Sequence, residues 1–356
     1  MKILFVGGGT MGSVSPLLAI RDALSKLGVE VEGLWLGTVA GPERAVVERQ
    51  GITFQAIAAG KFRRYFDWRT LTLPFSIPFS VLRARGILKR FRPDVVVTAG
   101  SFVAVPVVLA AWTLRIPTLI HQQDVIPSLT NRILNPFASA VTVTFPDSLW
   151  AFAKRKSTIT GNPVRPDLKL AKRAAAYERF HFLPEVPTVL VLGGGTGASV
   201  LNQLVWNSLP ELVAFCQIIH LTGRGKMAVV AEHPRYRAFE FVDTEMAYAY
   251  AISDLVVTRA GMGALSELAA LGKPAIIIPI PSSHQEENAR AFAKNNAAVY
   301  LSQPGLTAQD FVGNVRQTLE DKAMLTNLSR NAGKVLPENA ALALANVTRR
   351  LAGGVK

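Results

Sequence analysis

Cysteine is nearly absent: Cys216, inside the apolar stretch "LVAFCQIIH", stands alone in 356 residues. No disulfide can therefore shape the fold, and the chain suits a reducing compartment. Histidine is scarce too, and His121, His181, His220, His233 and His284 form no ligand-spaced cluster, which argues against a metal site. No low-complexity tract appears, and a 49% hydrophobic content excludes a disordered protein. Export is not expected either, since Met1 and Lys2 lead directly into a strand-like run. Charge is absent from Val95 to Leu114, a run long enough for a membrane span. Gly100, Ser101 and Pro106 divide it, however, into a buried strand, a turn and a helix expected to begin at Pro106.

Acidic residues run short where basic ones gather. Between Lys61 and Arg92, Asp67 alone faces Lys61, Arg63, Arg64, Arg69, Arg83, Arg85, Lys89, Arg90 and Arg92, within a formal net charge of +14. Such a patch wants an anionic partner. Phe62, Phe66, Trp68, Phe75 and Phe79 are interleaved with those arginines, a mixture that favours an anionic membrane surface over nucleic acid.

What the chain does have is one phrase twice: "ILFVGGGTMGS" from Ile3 and "VLVLGGGTGAS" from Val189. Apolar runs ending in glycine or polar turns alternate with amphipathic segments around both, the grammar of βα units on parallel sheets. The expected fold class is α/β, with two Rossmann-like domains. Strands are predicted at 2–6, 29–36, 53–57, 95–98, 118–121 and 140–144, then at 188–192, 216–221, 239–242, 255–258 and 275–278. "TITGNPVRPDL" closes the first half, because its prolines and glycine break regular structure. The expected domains are 1–163, 164–335, and a terminal amphipathic helix within 336–356 that packs back on the first.

A glycine turn between strand and helix lets backbone N–H groups approach an anion at the positive end of the helix dipole. A nicotinamide dehydrogenase is disfavoured, since "GGGTMGS" departs from G-x-G-x-x-G and no acidic residue ends the second strand. The segment "TRAGMGALSELAALGKPAIIIPIPSSHQEENA", Thr258 to Ala289, is more specific. It offers a helix start for a diphosphate and Glu267 for two ribose hydroxyls, the layout for a nucleotide sugar.

With "GGGTMGSVSPLLAI", "AGSFVAVP", "IHQQDVIPSLTN", "TGNPVR", "LGGGTGASVLN", "TRAGMGALSE" and "SHQEENA" in this order, nearly the whole chain resembles the MurG family of peptidoglycan glycosyltransferases. That resemblance implies a GT-B fold, two parallel-sheet domains facing across a cleft. It implies an inverting transfer of N-acetylglucosamine from UDP-GlcNAc to the 4-hydroxyl of undecaprenyl-pyrophosphoryl-MurNAc-pentapeptide. The enzyme would sit at the cytoplasmic face of the membrane and need no cofactor beyond its donor substrate. Glu267 would bind the ribose, and Gly263, Ala264 and Leu265 the diphosphate. Arg165, Gly195, Thr196, His284, Gln285 and Asn288 would line the donor site, with uracil near Val242. Gly9, Thr10, Gly12, Ser13, Gly100, Ser101 and Phe102 would cradle the acceptor diphosphate.

Two departures bear on chemistry. Ser13 stands where the family has a histidine, and a serine hydroxyl is too weak to take the acceptor's proton. "HQQD" replaces the family's "HEQN", which points to Asp124 as general base, oriented by His121. Open alternatives are another GT-B enzyme, with a different lipid acceptor or epimerase activity, and a catalytically silent UDP-sugar-binding subunit.

Overall fold

The computed structural model describes residues 1–57, 73–194, 197–228, 232–242 and 244–354, with backbone alone at 73–76. The chain divides into two compact units, Met1–Val164 with Pro337–Lys356, and Arg165–Leu336.

The first unit carries β1 (Lys2–Val6), β2 (Glu32–Gly37), β3 (Thr53–Ala56), β4 (Val95–Thr98), β5 (Thr118–Gln122), β6 (Ala140–Val143) and β7 (Ser157–Ile159). They form one sheet in the order β3-β2-β1-β4-β5-β6-β7, and each pair runs parallel. Val95, Val96 and Val97 are fully buried, as expected of a strand covered on both faces. One face packs on the helices Leu73–Phe91 and Ala104–Thr113 through Leu88, Val107 and Val108. The other packs on the helices Ser15–Lys26 and Ala340–Ala352 through Leu17, Ile20, Leu344 and Ala345. The returning segment thus completes the core of the first unit.

The second unit carries β8 (Thr188–Leu192), β9 (Gln217–Leu221), β10 (Tyr236–Phe239), β11 (Leu255–Thr258), β12 (Ala275–Ile277) and β13 (Val299–Tyr300). Their order is β10-β9-β8-β11-β12-β13, again parallel throughout. In both sheets the strand order reverses beside the first strand, between β1 and β4 and between β8 and β11. At such a switch point the loops beyond the strand ends diverge and leave a crevice for a ligand. Each copy of the repeated glycine phrase leaves a strand at this point.

Several boundaries differ from expectation, among them the second strand, expected over 29–36 and found at Glu32–Gly37. The helix expected from Pro106 begins at Ala104, because a proline in the first turn gives up an N–H that has no intrahelical partner anyway. The strand expected over 239–242 lies at Tyr236–Phe239. Tyr236 fixes it, through a hydroxyl within 3.0 Å of His220 Nδ1 on the neighbouring strand, whereas Phe241 is exposed beyond the strand end. The short strands β7 and β13 were not expected; each lies at a sheet edge, where the hydrophobic pattern is weak.

Candidate functional site

In the first unit, three loops at the C-terminal edge of the sheet are fastened together. The turn after β1 is braced from inside. Gly8 N–H donates to Ser13 Oγ at 3.0 Å, and Ser101 Oγ donates to Gly8 O at 2.9 Å. Gly9 N–H donates to Glu43 Oε2 at 3.2 Å. Glu43 is fully buried, and its Oε1 also accepts the N–H of Thr38 at 2.6 Å and the Thr38 hydroxyl. A Cβ on Gly8 would collide with this carboxylate, which is the physical reason for glycine there. Gln123, just past β5, donates to Gly12 O at 2.9 Å and Ala99 O at 3.2 Å. It thereby ties its own loop to those after β1 and β4. Gln122 and Asn131 brace the rest of that loop through a 2.7 Å amide–amide bond.

This geometry sorts the expected acceptor residues. Gly9, Thr10 and Gly12 are exposed, Gly100 is half-buried, and the half-buried Phe102 ring lies against Gly9. Ser13 and Ser101 are corrected from ligand contacts to braces, because both hydroxyls are buried and engaged with Gly8. The amide of Gly9 is likewise committed to Glu43. The N–H groups at the head of the 3-10 turn Met11–Ser13 are of the kind a helix leaves without internal partners.

His121 is a second correction. It does not orient Asp124: its ring is fully buried, with Nε2 3.0 Å from Asn162 Oδ1 and Nδ1 3.0 Å from Thr142 Oγ1. Burial lowers its pKa to about 4, against smaller opposing effects from the Asn162 side chain and the Thr142 backbone. Asp124 is half-buried, two residues beyond β5. Its main-chain carbonyl accepts from Gln122 Nε2 at 2.8 Å and Ser148 Oγ at 3.1 Å, so the loop that carries it is braced.

In the second unit the central element is the helix Met262–Leu271, which follows β11 with Gly261 as an extended N-cap and no side-chain cap. Its first-turn amides therefore lack internal partners. Leu265 is the exception and a correction: its N–H already bonds to Gly261 O at 3.1 Å. The N–H groups available to an anion are those of Met262, Gly263 and Ala264.

The loop before this helix is clamped. Gln285 Oε1 accepts from Ala260 N and Ile280 N, both at 3.2 Å, and the fully buried Asn288 donates to Ala260 O at 3.1 Å. Asn288 thus acts through the loop, while Gln285 keeps its Nε2 group. Arg259, not singled out in the sequence, is buried and donates to Ile278 O at 2.9 Å and Pro279 O at 3.2 Å. His284 is exposed at the N-cap of the helix Gln285–Lys294.

Glu267 lies farther along the same helix, half-buried, accepting the hydroxyl of the buried Tyr250 on Oε2 at 2.8 Å. Burial raises its pKa; the Tyr250 bond and the charge of Arg165 oppose this, and Asp167 adds to it. Arg165, half-buried and 3.9 Å from Asp167, is thereby brought into the field of Glu267. Val242 is buried just beyond β10. Gly195 and Thr196 lie outside the described residues. The neighbouring Gly197 is contacted through its carbonyl by Lys226 Nζ at 3.3 Å.

No group of three or more metal-ligating side chains comes together among the described residues. Nor is any helix among them long and apolar enough to cross a membrane. Phe62, Arg63, Arg64, Phe66 and Trp68 fall outside the described residues. Phe75 lies in the helix Leu73–Phe91, and Phe79 on that helix is exposed.

Two parallel-sheet units, each with a glycine turn leaving its first strand at the switch point, have the architecture of a GT-B glycosyltransferase. The chain belongs to glycosyltransferase family 28, the family of MurG: residues 3–143 match its N-terminal domain and 188–343 its C-terminal domain. It is 34% identical over 336 residues to a Clostridium tetani protein named UDP-N-acetylglucosamine–N-acetylmuramyl-(pentapeptide) pyrophosphoryl-undecaprenol N-acetylglucosamine transferase, covering 93% of each chain. A Lachnospira eligens protein of the same name is 36% identical, over 90% of this chain and 92% of its own. Among solved structures, MurG of Acinetobacter baumannii superposes with a TM-score of 0.75 at 26% identity, covering 98% of this chain and 99% of the other.

Proposed function

We propose that this chain transfers N-acetylglucosamine from UDP-GlcNAc to the 4-hydroxyl of undecaprenyl-pyrophosphoryl-MurNAc-pentapeptide, with inversion, at the cytoplasmic face of the membrane. The observation that carries the reading is Glu267 on the same helix whose uncapped first turn offers Met262, Gly263 and Ala264. A carboxylate there accepts two ribose hydroxyls while the amides meet the diphosphate. The names of the relatives supply the sugar and the lipid-linked acceptor.

In the reaction, the acceptor oxygen attacks the anomeric carbon as the bond to the diphosphate breaks and UDP departs with the electron pair. Asp124 takes the hydroxyl proton. The helix N-terminus and Arg165 stabilise the developing diphosphate charge, so the reading calls on no resident cofactor. The acceptor diphosphate meets the turn Gly9–Gly12, beside Gly100 and Phe102.

Docking to an anionic bilayer is supported by exposed apolar side chains on neighbouring elements of the first unit. Phe79 and Leu82 share a helix with Arg83, Arg85, Lys89 and Arg90; Trp112, Leu129, Ile133 and Trp150 are exposed on other elements of the first unit. No nucleic acid is called for. The test is to incubate purified protein with UDP-GlcNAc and the lipid-linked monosaccharide. Lipid-linked disaccharide is the expected product. Binding of the donor without transfer favours the silent-subunit reading that Ser13 raises, and a different glycoside or an epimerised sugar favours another GT-B activity.

A further inference from the structure

Glu267 has a partner that its proposed role does not by itself require. The hydroxyl of Tyr250, on the helix Glu245–Ile252, donates to Oε2 at 2.8 Å, and the Tyr250 side chain is buried to within 1% of its surface. A glutamate side chain is flexible, and ordering it only when ligand arrives would cost conformational entropy. We propose that Tyr250 is a positioning residue for donor binding: its phenol anchors Oε2 of Glu267, so that Oε1 and the remaining lone pairs face the ribose hydroxyls. This inference rests on the reading of Glu267 as the ribose ligand.

Three groups act on that carboxyl from outside its own helix. Tyr250 and Arg165 favour the ionised form; Asp167, in the 3-10 turn Pro166–Lys169, disfavours it, and burial disfavours it most. Tyr250 is itself a dependable donor. Burial first, and then the charge of Glu267, hold its pKa well above the ordinary phenol value, so it keeps its proton. The ionised carboxylate accepts both hydroxyls, whereas a protonated one gives up an acceptor site. Donor binding therefore weakens as pH falls through the Glu267 pKa, and loss of the phenol moves that fall to higher pH.

The test compares Tyr250→Phe and Glu267→Gln with the unaltered full chain, by donor kinetics across pH and by calorimetric titration with UDP. In Tyr250→Phe the donor KM and the UDP Kd rise about tenfold, the expected scale for a lost bond to a charged group. Its kcat at saturating donor stays within about twofold. The acid limb of kcat/KM for the donor moves up by about one pH unit. In Glu267→Gln UDP affinity falls and the acid limb flattens. Should Tyr250→Phe fail to fold, 3-fluorotyrosine at position 250, a stronger donor, moves the acid limb down instead. An unchanged KM and acid limb in the folded Tyr250 variants, beside lost affinity in Glu267→Gln, overturns the positioning role alone. Unchanged UDP affinity in Glu267→Gln overturns the ribose reading and this inference together.

Discussion

His121 on β5 and His220 on β9 are each buried on a strand with both ring nitrogens engaged. His220 Nδ1 lies 3.0 Å from the Tyr236 hydroxyl, and its Nε2 3.1 Å from Asn202 Oδ1. Burial lowers both pKa values from 6.5 to about 4. The folded form thus binds fewer protons than the unfolded form. The stability involved is complete above the ordinary histidine value and is lost as pH falls from there toward 4, by on the order of 3 kcal/mol for each ring. Calorimetric unfolding at pH 5 in buffers of differing ionisation heat should register uptake of about two protons from this pair; uptake near zero contradicts their burial as neutral rings. Asp124 is judged at the same scale. Asp124→Asn should lower kcat by roughly 10²- to 10⁴-fold with little change in UDP affinity, and turnover near the unaltered level removes it as the base.

At the scale of elements, the parallel strands were legible because double burial writes them as unbroken apolar runs such as "VVVT" and "TVLVL". The helix Met262–Leu271 and the glutamate on it were legible because they sit within one continuous motif. What was not legible depends on distant pairings. Nothing in "GPERAVVERQ" marks Glu43 as the buried acceptor under the first turn, since the donor at Gly9 lies 34 residues away. Tyr250 is equally silent, one of two tyrosines in "AYAYA". His121 misled for the opposite reason: its neighbour in sequence was Asp124, while its partners Thr142 and Asn162 lie on later segments.

The terminal helix provides the test at this scale. Leu344 is fully buried against the first sheet, so Leu344→Ala should cost about 2–5 kcal/mol. Denaturant melts should show the loss, and a shift below about 1 kcal/mol would mean that the helix is dispensable to that core.

For the whole molecule, a formal charge of +14 sets the behaviour toward surfaces. Each basic residue near an anionic bilayer contributes about 1 kcal/mol, attenuated within a Debye length. Co-sedimentation with phosphatidylglycerol vesicles should be strong at about 50 mM salt and weak at about 500 mM. Replacing Phe79 and Leu82 together by serine should weaken the binding that survives high salt. Equal sedimentation with neutral vesicles would contradict the electrostatic part of this account.

The chain leaves the first unit at Val164 and re-enters it at Pro337, which makes the second unit an insertion. On the ribosome, Leu344 and Ala345 emerge only after the inserted unit has been synthesised. The seven-stranded sheet therefore waits with one face only partly covered, by the helix Ser15–Lys26, while its guest domain, whose segments are contiguous, is free to fold first. A chain ending at residue 336 should then protect the second unit from protease more firmly than the first.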